Sequence, residues 1–455
     1  MTTNTARKTT TVLGAVALAL SLAACGAGGG AGGESGQSSS PAASASPSMS
    51  ESMSGAMSAS PSASAGMSED MPEASSAAMP MPASTGDPFA DARTAAAHMP
   101  ETAETLAAGL VAAADVDGDP ASEAATLRAT LTAQLQEHVY LAGITVATAY
   151  ATDLESPETE LASAALDENS QELAATIEAA SDAETAEAFL ALWREHIGYF
   201  VDYAAAEKSG DAAGQEQAVA DLEGYTREAG AFFEELTGGE LPADAVTESL
   251  HGHVDTLTAA IDGLAAGDPA AYGDLRAAAH HVGEAAGTIT GGVVAATGME
   301  GDPMDDAAAL RAQLTYDLQE HVYLAGIAVF TAYTAEGGTD SEAFTAAAGT
   351  LDENSQALAE AIGSLAGEDQ GAAFLELWRE HIGFFVDYAG ARAAGDTEAA
   401  EQALADLDGY RPQAGEFLEG ISGGELPAEE VAAGLGMHVE TLAGAIDSMA
   451  EALVK

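Results

Sequence analysis

From about residue 89 onward, apolar side chains recur at three- and four-residue intervals, the period of one helix face. Around His138 the stripe reads Leu131, Leu135, Leu141 and Thr145. Around His196 it reads Trp193, Phe200 and Tyr203, and around His253 Leu250, Leu257 and Ile261. No run alternates with the period of two that a half-buried strand needs. Glycine and proline gather at Asp117-Gly118-Asp119-Pro120, Gly238-Gly239 and Gly267-Asp268-Pro269, which marks loops between long helices. Asp ahead of Pro suits an N-cap followed by proline at the first helical position. The spacing predicts helices over 89–113, 121–151, 157–180, 183–208, 213–236, 242–265 and 270–297. The expected fold class is all-α.

The pattern then repeats. Gln136-Glu137-His138-Val139-Tyr140-Leu141 returns as Gln319-Glu320-His321-Val322-Tyr323-Leu324. Leu166-Asp167-Glu168-Asn169-Ser170 returns as Leu351-Asp352-Glu353-Asn354-Ser355, and Trp193-Arg194-Glu195-His196 as Trp378-Arg379-Glu380-His381. His253-Val254 returns as His438-Val439. The offset is 183 residues early in the unit and 185 later, so two residues are inserted near 335–340. Two tandem helical bundles of about six helices are expected, over 88–298 and 299–455. One ambiguity is topological. Arg93 to His98 recurs as Arg276 to His281, so helix 88–113 either opens the first bundle or completes the second.

The residues ahead of the repeats read differently. Arg7 and Lys8 precede an apolar run from Val12 to Leu22, too short to span a bilayer, which ends in Leu22-Ala23-Ala24-Cys25. This resembles the lipobox of bacterial lipoproteins. A signal peptide over 1–24 and a lipid on Cys25 are therefore expected, placing the chain on the outer face of a cell membrane. Residues 25–87 are rich in Gly, Ser, Ala, Pro and Met and cannot bury enough apolar surface to order themselves. They read as a tether with a reach of roughly 45 Å. Cys25 is the single cysteine, which excludes a disulfide framework.

Composition narrows the partners. A formal net charge of −60 disfavours nucleic acid and anionic lipid headgroups. The recurring arginines, Arg93/Arg276, Arg128/Arg311 and Arg194/Arg379, are expected to pair with specific carboxylates such as Asp167 or Asp202.

The candidate chemistry lies in histidines on the apolar stripes. His138, His196, His253 and His281 are expected to converge as one metal site. His321, His381, His438 and, less directly, His98 would form a second, since histidines meeting between helices are a common way to hold a metal. A buried hydrogen-bond network is the bland alternative, in a surface module that binds another protein; haem held between helices is a third. No Glu-x-x-His pair supports a di-iron site. Glu137 and Glu195 adjoin their histidines but point about 100° away, as supporting groups or surface charges. Met49, Met53, Met57, Met67, Met71, Met79 and Met81 crowd the tether, and Met99 follows His98. Thioethers are soft ligands suited to Cu(I), so copper is preferred to zinc. Asp115 to Asp119 resembles a calcium loop, but its glycine is misplaced and Thr126 stands where an acid is needed, so a helix cap is expected.

The segments Glu137-His138-Val139-Tyr140, Leu166-Asp167-Glu168-Asn169-Ser170, Trp193-Arg194-Glu195-His196-Ile197-Gly198 and His253-Val254 resemble a secreted all-helical family of Gram-positive bacteria often labelled copper amine oxidase. The resemblance covers 121–455. It implies a unit running from the Glu-His-Val-Tyr helix to a final helix ending near a His-Met pair, which favours helix 270–297 closing the first unit and leaves 89–113 to pair with the second. It also implies copper. Copper amine oxidases form a quinone from Tyr in an Asn-Tyr motif, and none of Asn4, Asn169 or Asn354 is followed by Tyr. Binding rather than catalysis is the expectation.

Overall fold

The computed structural model describes residues 84–454. They form thirteen α-helices and one 3-10 turn, with no strand among the described residues. In chain order these are α1 (Pro88–Ala97), α2 (Met99–Ala114), α3 (Glu123–Ala151), α4 (Pro157–Ala180), α5 (Ala183–Ser209), α6 (Ala212–Leu236), α7 (Ala243–Ala266), α8 (Ala271–Thr297), α9 (Asp306–Thr334), α10 (Glu342–Ala366), α11 (Glu368–Ala394), α12 (Thr397–Ile421) and α13 (Ala428–Leu453); the turn, Gly338–Asp340, lies between α9 and α10. No helix among them is long and apolar enough to cross a membrane. Cys25 and the methionines from Met49 to Met81 lie outside the described residues.

The helix ends follow local chemistry. Ser122, Ser156, Asp182, Asp211, Asp305, Ser341 and Asp396 each accept a backbone N–H of the first turn through the side chain. The helix expected over 89–113 is broken at His98. Pro100 has no N–H, and its ring clashes with the carbonyl four residues back, so the chain restarts as α2. Asp115 closes α2 at φ 52°. The N-caps expected at Asp119 and Asp268 do not form: Ser122 caps α3 and α8 starts after Ala270, while each Asp instead accepts a backbone N–H two residues on, in the turn before the helix.

Two long helices, α3 and α9, pack against each other at the centre. They are enclosed on almost every side, with residues 135–141 and 314–324 buried without a break. On α3 pack α4 and α8, and α7 lies beyond against α8; on α9 pack α2 and α10, with α13 alongside. The first two helices therefore join the C-terminal half of the fold. α1 lies on α13, where the buried Asp91 accepts from Thr85 and from Ser448.

The contact between α3 and α9 is reciprocal. Tyr140 donates to Glu320 at 2.8 Å and Tyr323 to Glu137 at 2.7 Å, and the two phenol rings stack at 5.4 Å. Arg93 and Arg276 reach the same two carboxylates at 3.1 and 3.0 Å, while Asn169 and Asn354 each donate at 2.9 Å. At one end the connecting loops exchange backbone bonds, from Ala124 N–H to the Glu300 carbonyl and from Ala307 N–H to the Asp117 carbonyl. Arg128 and Arg311 donate across to the carbonyls of Pro303 and Pro120, both at 2.7 Å.

Two expectations change here. Glu137 is neither a surface charge nor a supporting group beside the histidines. It is a buried acceptor facing α9, because Arg93, Asn169 and Tyr323 satisfy its oxygens; Glu195 is exposed. Arg194 and Arg379 do pair with Asp167 and Asp352, but Arg128 holds a backbone carbonyl rather than a carboxylate.

Candidate metal centres

Six histidines are brought together as two triads. His138 on α3, His196 on α5 and His253 on α7 offer nitrogens that all lie within 4.8 Å of one another. His321 on α9, His381 on α11 and His438 on α13 do the same. All six rings are buried. Each sits where its helix carries an apolar stripe, so the periodicity that packs the helices also aims the imidazoles inward.

Within each triad one pair is closest. The Nε2 atoms of His138 and His196 are 3.3 Å apart, and those of His321 and His381 3.4 Å. Two nitrogens bound to one ion at about 2.0–2.1 Å in tetrahedral geometry would stand about 3.3–3.4 Å apart. The separation also suits a single hydrogen bond between neutral rings, with one donating and the other accepting. Nδ1 of His138, His253 and His321 and both nitrogens of His438 are buried without a hydrogen-bond partner among the described residues.

Aromatic rings wall both triads. Trp193 lies 4.8 Å from the His138 ring and 4.5 Å from His196, Tyr225 stacks on His196 at 4.6 Å, and Phe200 meets His253 edge-on. Trp378, Tyr410 and Phe385 repeat this around His321, His381 and His438. Tyr225 was not singled out by spacing. Its signal was recurrence, Gly224-Tyr225 against Gly409-Tyr410.

Burial sets the protonation state. Loss of water, then the nearby His253, pushes the His138 imidazole down to about 3; loss of water and then His281 takes His253 to about 4; burial takes His321 to about 3. His196, His381 and His438 are driven well below the ordinary range, by burial first and by neighbouring histidines second. All six are therefore neutral near pH 7, the form in which imidazole binds a metal.

The fourth histidines do not join the triads. Nε2 of His281 is committed to the Ser249 carbonyl at 2.8 Å, in space left by Gly252, where an added Cβ would meet the ring at 2.7 Å. His98 reaches the second group, with its ring 5.9 Å from His438, but is not one of the three converging residues. Met99 is buried at the start of α2. His251 turns to Thr226, at 3.1 Å.

No protein family, curated protein or solved structure matches this chain.

Proposed function

We propose that the chain is a duplicated copper-binding lipoprotein, displayed on the outer face of a membrane through Cys25, that sequesters or hands over the ion. Each repeat would form one helical bundle and hold one ion. His138, His196 and His253 would supply the first set of nitrogens, and His321, His381 and His438 the second. The observation that carries this reading is the convergence of three neutral, buried imidazoles in both halves, with nitrogens left unpartnered.

The donor chemistry favours a monovalent ion. The rings that wall each triad are aromatic, and its own donors are uncharged. A buried divalent ion would keep its charge uncompensated in that setting, and the Born cost of a monocation is about a quarter of a dication's. Cu(I) accepts imidazole ligands and carries one charge. The methionines from Met49 to Met81 offer the same ion thioether sulfur, consistent with delivery or transfer. No nucleophile–base pair or phosphate loop is legible in the sequence, so the role proposed is binding.

Metal analysis tests it. The whole chain should bind about two equivalents of copper in competition with a chromophoric Cu(I) chelator. The double variant His138→Ala/His196→Ala should retain one, and His321→Ala/His381→Ala the other. Copper content unchanged in both variants would return the histidines to a purely structural role.

A further inference from the structure

The two halves differ beside their triads. In the C-terminal half a cavity of about 380 Å³ runs between α9, α10 and α11 and ends at His321. Its inner wall is His321, Leu351, Phe385 and Leu442, all buried; its mouth lies at Thr339, Val386 and Ala393, all exposed. Among the described residues no Asp, Glu, Lys or Arg lines it, although the chain carries 73 acidic residues.

The N-terminal half has the same helices but different side chains at the matching positions. Lys208 stands where the second copy has Ala393, Ala205 where it has Gly390, and Thr145 where it has Ala328. Lys208 lays its stem across this place and donates to the Ala149 carbonyl at 2.6 Å, with its Nζ 5.9 Å from the Tyr150 ring centre. The Tyr beneath is common to both copies. Tyr150 donates to the Ala204 carbonyl and Tyr333 to the Ala389 carbonyl. The frame is thus shared; Ala394 is also smaller than its counterpart Ser209, while Phe344 is larger than Thr159, so the opening lies on the side of α9 and α11. The two inserted residues fall at its rim, where Gly337 and Gly338 take φ of 97° and 57° ahead of the turn that carries Thr339.

We propose that this cavity of the second repeat is a binding site for an uncharged, apolar small molecule. A volume near 380 Å³ is in the range of small-ligand pockets and suits one to a few fused or linked rings. The apolar lining gives such a ligand a gain for leaving water, whereas a charged ligand would find no counter-ion. The site ends on His321 and so adjoins the second triad, but the proposal does not depend on a metal being held there.

The test uses metal-free full-length chain and N-phenyl-1-naphthylamine, an uncharged probe that brightens in apolar surroundings. Native chain is expected to bind one equivalent. Ala393→Lys copies the first repeat at an exposed helical position and is expected to weaken binding at least tenfold. Ala332→Phe, which narrows the cavity from α9, is expected to act in the same direction. Circular dichroism and copper stoichiometry of Ala393→Lys should match the native chain, which separates this proposal from the metal reading. Native-like probe affinity in both variants, or no binding by native chain, would overturn it.

Discussion

At the scale of single residues, the six triad histidines are defined by what they lack: water, a counter-charge and, in several cases, a hydrogen-bond partner. Their low pKa values have a consequence for stability. Near pH 5 an unfolded histidine, with its ordinary value near 6.5, binds a proton, while folded His138, His253 and His321 do not. The unfolded state then holds more protons, so stability falls as pH drops below about 6.5 and goes on falling until the folded values near 3–4 are reached. Each such group contributes a slope of about 1.4 kcal/mol per pH unit. Asp317 opposes this. Burial, then Glu320, raises it to about 7, so between about pH 4 and 7 it is the folded state that holds the proton. Burial raises Asp447 as well, so two carboxyls stand against six imidazoles, and the net sign stays with the histidines. Urea unfolding of the metal-free chain at pH 7, 6 and 5 should show a steep loss, and His253→Gln should make it shallower. A flat profile would contradict the neutral, buried state. The convergence of these histidines was legible because spacing on an amphipathic helix reports direction. The failure of His281 to join was not, since it turns on the Ser249 carbonyl.

At the scale of elements, α3 and α9 were the hardest to read. Both are enclosed, whereas in sequence Glu137 reads as a supporting group or surface charge, and Tyr140, Glu320 and Tyr323 show only as repeated letters. Their partners come from the other repeat, about 180 residues away, beyond the reach of any local spacing. Helix limits, by contrast, were legible to within a few residues, because caps and breakers act locally. The crossed bonds are not equivalent. Glu320 Oε1 accepts from both Tyr140 and Tyr316, each at 2.8 Å, whereas the first repeat has Ala133 in place of Tyr316. Tyr140→Phe therefore leaves Glu320 Oε1 with a hydroxyl donor and should cost about 1 kcal/mol or less. Tyr323→Phe leaves Glu137 Oε1 with the charged Arg93 donor and should cost a similar amount, about 1 kcal/mol. Chemical denaturation of the two variants side by side checks that the two costs match.

At the scale of the molecule, the chain order and the packing order disagree. α1 and α2 come first in sequence yet lie on α13 and α9. The repeated stretch Arg93 to His98 announced the ambiguity without resolving it, because either partner would bury the same apolar face. Deleting residues 84–114 should therefore unsettle the distant end of the chain. Hydrogen exchange should rise in α9 and α13 while α5 to α7 keep their protection, and faster exchange confined to α3 to α8 would contradict this packing. The reciprocal bonds between α3 and α9 carry a last consequence, of symmetry. Tyr140 with Glu137, and Tyr323 with Glu320, place a donor and an acceptor on one face of each repeat, the property of an isologous two-fold contact. A single repeat thus carries both sides of its own interface, and two separate copies would find in each other the partner that one long chain now supplies from within.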